Sequence, residues 1–131
     1  MKKVFLGGTC NNSNWRKSLI PMLEIDFFNP VVKNWTLECQ EEEIRQREEC
    51  DFVLYYITPK MLGVYSIAEV IDDSNKRPEK TIFCYTGYDG DNKFEFDQIK
   101  SLKAVAKMVQ NNGAFYFEDI DSVLTFLNSQ K

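Results

Sequence analysis

The sequence predicts an α/β domain built on a doubly wound, five-stranded parallel sheet with helices on both faces. Three observations predict it. Short apolar runs alternate with segments of helical periodicity along the whole chain. The run from Asp51 to Ile57 is apolar after its first residue, as expected of a strand covered on both faces. Glycine, proline and small polar residues punctuate the joins, with no repeat or internal linker. The 131 residues suit one domain, 1–131. Roughly two thirds of the surface of such a chain is buried on folding, enough for a core without disulfides or metal.

The first strand is the apolar run Lys3 to Gly8, ending in Gly-Gly. Residues 7–13 form a loop, and Asn12 or Ser13 is placed to cap a helix beginning near Asn14. Trp15, Leu19 and Met22 share one face of that helix, which Pro21 ends or kinks. Ile25 to Asn29 reads as a second strand stopped by Pro30. Glu38 to Cys50 is a charged helix with much of its surface in solvent. Asp51 to Ile57 is the central strand, 58–63 a loop, and Val64 to about Asp73 a helix with Ile67, Val70 and Ile71 inward. The polar stretch 72–79 reads as a turn, Lys80 to Tyr85 as a fourth strand and 86–93 as a loop. From Phe94 to Asn111 the second half is helical, with Leu102, Val105, Ala106 and Val109 on one face and Gly113 beyond its end. Ala114 to Phe117 is a short fifth strand. Asp119 caps a last helix with Val123, Phe126 and Leu127 inward.

Right-handed crossovers and short connections favour a flavodoxin-like or Rossmann-like strand order, 2-1-3-4-5. Ligands of such sheets bind beyond the carboxyl ends of the strands, where the order switches. Loops 7–14, 29–36, 58–66 and 86–93 face that crevice.

Composition removes several functions. Net charge is -4 without a basic run, unlike a protein that grips a nucleic-acid polymer. No stretch is apolar enough to span a membrane, so a soluble, cytoplasmic protein is expected. The four cysteines form no CxxC pair, and they are expected to be reduced thiols. With no histidine in the chain, a zinc site is disfavoured and Ser-His-Asp or Cys-His catalysis is excluded. Proton transfer must use carboxylates, Tyr, Cys, Lys or water.

Two places hold candidate chemistry. Glycines in loop 7–13 let a backbone approach a ligand, although the loop lacks the dinucleotide and P-loop patterns and also reads as a plain strand-to-helix turn. Thr9, Asn11 and Ser13 are available there to a hydroxyl or phosphate. Apart from Arg16, the loop has no Arg or Lys nearby, and that absence favours a neutral sugar end. Glu69 lies in the helix after the central strand, in the apolar setting Ile67-Ala68-Glu69-Val70; on pattern alone it also reads as an ordinary exposed helix residue. Ser66 is a plain helical serine or a hydroxyl donor to a ligand. Trp15 suits core packing, whereas Trp35 and Tyr65 suit stacking on a base.

Several segments, in this order, resemble the nucleoside 2-deoxyribosyltransferase-like family. They are Val4-Phe5-Leu6-Gly7-Gly8-Thr9, Asn29-Pro30-Val31-Val32, the strand Asp51 to Ile57, the link 58–63, the helix Val64-Tyr65-Ser66-Ile67-Ala68-Glu69-Val70 and the strand Lys80-Thr81-Ile82-Phe83. The resemblance implies an enzyme that cleaves or transfers N-glycosidic bonds of nucleosides or nucleotides. Glu69 is then the nucleophile, forming a covalent glycosyl-enzyme ester that water or a second base resolves. It implies substrate contacts from Gly7, Gly8, Thr9, Asn29, Glu43, Asp51 and Ser66, with Glu43 at the sugar or the leaving base. It implies no metal or organic cofactor. It also implies a homodimer or larger homo-oligomer, for which Phe94, Phe96, Phe115, Tyr116 and Phe117 are candidate contacts. The chain departs from the family at Gly63, where the transferases carry Asp, and at Phe5, where they often carry Tyr. A non-catalytic nucleotide-binding or signalling module, or a flavin carrier, is the alternative on the same fold.

Overall fold

The computed structural model describes residues 1–10 and 12–131. Its strands are β1 (Lys3–Gly8), β2 (Asp26–Phe28), β3 (Phe52–Ile57), β4 (Thr81–Tyr85), β5 (Tyr88–Asp89), β6 (Asn92–Lys93) and β7 (Phe115–Tyr116). Its α-helices are α1 (Trp15–Leu19), α2 (Leu37–Glu49), α3 (Tyr65–Lys76), α4 (Phe96–Asn111) and α5 (Ile120–Asn128). Five strands pair in parallel in the order β2-β1-β3-β4-β7, the doubly wound arrangement expected from the alternation.

Strand alternation builds the two sides. Val4, Leu6, Leu54, Ile82 and Cys84 face one layer, where Trp15 and Leu19 of α1 and Val123 and Leu127 of α5 cover them. Phe5, Val53, Tyr55, Ile57 and Phe83 face the other, under Val70 of α3 and Leu102, Ala106 and Val109 of α4. Every residue of β3 is buried, which is why its sequence shows no polar alternation.

Several expectations change. α1 ends at Leu19 and a 3₁₀ turn, Ile20–Met22, carries Pro21; Met22 is 55% exposed rather than inward. Neither Asn12 nor Ser13 caps α1. Asn14 holds the cap position without a side-chain bond, and Ser13 Oγ instead donates to Asp89. The polar stretch after Ile71 continues α3 to Lys76, because Asp73 and Ser74 turn inward and Asp72 and Asp73 pair with Lys76 and Arg77 one turn on. Loop 86–93 contains the antiparallel ribbon β5–β6, turning at Gly90 with φ of 62°. α4 is helical from Phe96, started by a capping box between Glu95 and Gln98. Phe94 is buried, and Phe115 and Phe117 pack on the core, so among the proposed contact aromatics only Phe96 is highly exposed, at 80%. Asp119 does cap α5, accepting from the Ser122 amide at 2.7 Å. Among the described residues, no helix is long and apolar enough to cross a membrane.

Candidate functional site

The site begins with the glycine turn at the carboxyl end of β1. Gly8 has φ of 112°, and a Cβ there would lie 2.0 Å from the Tyr56 carbonyl oxygen. Only glycine lets β1 stay against β3 and turn away at this point. The Thr9 amide donates to that same carbonyl at 3.0 Å, and its hydroxyl accepts from the Thr58 amide at 2.9 Å. Thr9 is therefore a buried clamp between two loops. Its hydroxyl, offered to a ligand by the sequence reading, is already engaged with the Thr58 backbone. Asn11 lies outside the described residues.

Beyond the turn is a groove of about 320 Å³. Gly7, Gly8 and Arg16 form one wall, Pro30, Val31, Val32 and Trp35 a second, and Tyr65, Ser66 and Glu69 at the start of α3 a third, with Glu43 reaching in from α2. A neighbouring cavity of about 440 Å³ shares Trp35, Glu43, Tyr65 and Glu69 with it and extends to Arg47. The β2–α2 loop is shaped by Asn29, whose Oδ1 accepts from the Val31 amide at 3.1 Å. Asn29 itself is exposed and supports the wall without lining it.

Glu69 stands where the two cavities meet. Its side chain is 17% exposed, and Arg47 Nη1 lies 3.5 Å from its carboxylate. Burial pushes its pKa up to about 7; Arg47 opposes that rise, and the charges of Glu43, Asp73 and Asp72 add to it. Burial likewise raises Glu43, again opposed by Arg47. Two carboxyl groups thus share one cation in a partly desolvated cleft, the setting in which carboxylates take acid, base or nucleophile roles.

Arg47 is fixed from behind. Its Nε and Nη2 donate to Asp73 at 3.0 and 2.9 Å, and Nη2 also reaches Asp72 at 3.3 Å. Asp73 is fully buried and further receives the Tyr55 hydroxyl at 2.5 Å and the Arg77 guanidinium. Burial works against charge on Arg47, but the bonds to Asp73 and the surrounding carboxylates outweigh it and raise its pKa. Burial and the Asp73 charge also hold Tyr55 protonated.

The structure brings Gly7, Gly8, Glu43, Ser66 and Glu69 to one groove and sets Asp51 apart. Asp51 sits at the amino end of β3, where it accepts from the Lys3 amide at 2.9 Å. That is the opposite end of the sheet from the groove, because parallel strands carry all their amino ends together. Of the aromatic candidates, Trp15 packs edge-on against Tyr56 with ring centroids 5.1 Å apart, while Trp35 and Tyr65 line both cavities. Reading the sequence missed Arg16 as a wall and the Arg47–Asp73–Tyr55 network. The spacing Glu43–Arg47, one turn apart on α2, was the available signal for the first member of that network.

A family model described as "Nucleoside 2-deoxyribosyltransferase like" matches residues 1–88. The matched stretch includes β1 to β4 and α1 to α3, and so every wall of the groove. No curated protein matches the chain.

Proposed function

The chain belongs to the nucleoside 2-deoxyribosyltransferase-like family, and we propose that it cleaves or transfers the N-glycosidic bond of a nucleoside or nucleotide through a covalent ester on Glu69. One observation carries the reading. A largely buried carboxylate, held by Arg47, stands at the junction of two cavities at the carboxyl ends of the strands.

In this mechanism the ionised Glu69 attacks the anomeric carbon as the C–N bond breaks. The bonding pair leaves with the base, and Glu43, whose affinity for a proton is raised by burial, supplies the proton the base needs. Water or a second base then attacks the same carbon from the vacated face and returns the carboxylate to Glu69. Two inversions retain the configuration of the sugar. Arg47 favours the ionised form of Glu69 before attack, and the Asp73–Tyr55–Arg77 cluster fixes Arg47 in turn. Trp35 and Tyr65 offer faces for the base. These steps call for no metal or organic cofactor, because the enzyme's own carboxylate forms the covalent bond.

The test is incubation with a mixed pool of nucleosides and nucleotides, followed by chromatography for free bases. Wild-type protein is expected to release base, and folded Glu69→Ala to release none. Full activity in Glu69→Ala would remove Glu69 from the mechanism. Tight binding without base release from any substrate would favour a non-catalytic nucleotide-binding module.

A further inference from the structure

Resting on that reading, we propose that Asp89 is a positioning residue for the substrate groove: from ribbon β5–β6 it ties the glycine-turn wall to the wall carried by α3. The observation is one acidic side chain that meets both of the loops leading into those walls. Asp89 Oδ2 accepts from Ser13 Oγ at 2.6 Å, in the loop between β1 and α1. Asp89 Oδ1 lies 3.8 Å from Lys60 Nζ, in the loop between β3 and α3. Lys60 closes the circuit by donating from Nζ to the Asn12 carbonyl at 3.2 Å.

These two loops set the groove. The first joins Gly7 and Gly8 to Arg16, and the second leads into Tyr65, Ser66 and Glu69. Close to the sheet they are joined by Thr9, whose hydroxyl accepts from the Thr58 amide. A single point of attachment leaves two loops free to swing about it. Asp89 and Lys60 supply a second point, farther along both loops, and so hold one wall at a set distance from the other.

The ribbon keeps Asp89 in place for this. Asp89 pairs with Asn92 across β5–β6, and a Cβ on the turn residue Gly90 would lie 3.7 Å from Lys60 Nζ. The side chains of Asp89 and Lys60 are far better shielded than those of the surface pair Arg45–Glu49, so their attraction is less weakened by solvent. Burial works against charge on Asp89, but the bonds from Ser13 and Thr58 and the Lys60 charge outweigh it and lower its pKa. Asp89 does not itself line the groove. Its loss therefore leaves the chemistry of a bound substrate intact and reduces the fraction of molecules with both walls in place. Apparent affinity falls by that fraction.

The test compares wild type, Asp89→Ala, Asp89→Asn and Ser13→Ala by amide hydrogen exchange and by calorimetry with the four 2′-deoxynucleosides. Asp89→Ala is expected to speed exchange of the Thr9 and Thr58 amides by at least about tenfold, the effect of losing one hydrogen bond to a charged group. Val109 of α4 and Leu127 of α5, in the core, should keep their rates. Nucleoside Kd, and KM where base is released, should rise by a similar factor, with kcat within about twofold. Ser13→Ala should reproduce part of the effect, and Asp89→Asn, which keeps an acceptor for Ser13, should recover part of the affinity. Unchanged exchange at Thr9 and Thr58 in Asp89→Ala would overturn the proposal. So would exchange that rises equally along α4 and α5, which marks a general loss of stability, or faster local exchange with unaltered Kd. Wild-type protein that binds none of the four nucleosides overturns it as well. Base release with an unaltered KM in Asp89→Ala would sink this inference and leave the Glu69 chemistry standing; local exchange and Kd that both shift, in a protein that releases no base, would do the reverse.

Discussion

Replacing Glu69 by Gln should stabilise the folded protein at alkaline pH while ending base release. The pKa of Glu69 rises from 4.5 to about 7, with burial as the leading cause. The folded protein therefore holds this proton more tightly than the unfolded chain does. Stability from this group is fully present below about pH 4.5 and is lost as pH rises through about 7. A gap of roughly 2.5 units at ~1.4 kcal/mol each sets an upper bound of roughly 3 kcal/mol. The carboxylate keeps some contact with water, so a cost of about 1–2 kcal/mol is expected. Gln is neutral at every pH and nearly the same shape, and Arg47 retains Asp73 and Asp72 in its absence. Glu69→Gln should match wild type at pH 4 and exceed it at pH 8 by about 1–2 kcal/mol, roughly 3–8 °C in Tm. Urea or thermal unfolding at both pH values measures this. A variant less stable than wild type at pH 8, or offset by the same amount at both pH values, would mean that burial does not strain the Glu69 charge.

Base release by the wild-type protein should rise with pH on an acid limb centred near pH 7, as Glu69 ionises. Arg47→Met should move that limb to higher pH, because Arg47 opposes the rise in Glu69, and should destabilise the fold by about 3 kcal/mol by removing one cation from buried Asp73; pH–rate profiles and urea melts check both. Tyr55→Phe, which removes only the hydroxyl donated to Asp73, should cost about 1–2 kcal/mol in the same melts. Gly8→Ala should lose soluble folded protein, since its Cβ meets the Tyr56 carbonyl in a backbone conformation that disfavours a side chain; circular dichroism of the purified variant is the check.

The sheet was legible because its strands are either continuous apolar runs or end in turn residues, and parallel alternation permits few strand orders. Ribbon β5–β6 was not, since two-residue strands of Tyr, Asp, Asn and Lys carry no periodicity. The end of α3 was misread because Asp72-Asp73-Ser74-Asn75 has the composition of a turn, and only a partner distant in sequence, Arg47, makes burial of Asp73 tolerable. In the site, Gly7, Gly8, Glu43, Ser66 and Glu69 were all named from sequence and converge on one groove. Thr9 and Asp51 were named too, yet their polar atoms serve the backbone of Thr58 and Lys3. Residue type shows that a group is capable of contacting substrate; only the three-dimensional path shows what it already holds. Arg16 is the converse case, a residue on a five-residue helix that becomes a wall of the groove because its guanidinium folds against backbone carbonyls of the glycine turn.

Mass spectrometry can detect the proposed covalent bond between the sugar and Glu69 itself. Protein mixed with 2′-deoxynucleosides and 5′-monophosphates is quenched in acid, weighed intact and then mapped by proteolysis. A single added pentosyl group, with or without phosphate, is expected on the peptide holding Glu69, and none on Glu69→Gln. Base release with no adduct at any quench time, or an adduct mapped to Glu43, would contradict it.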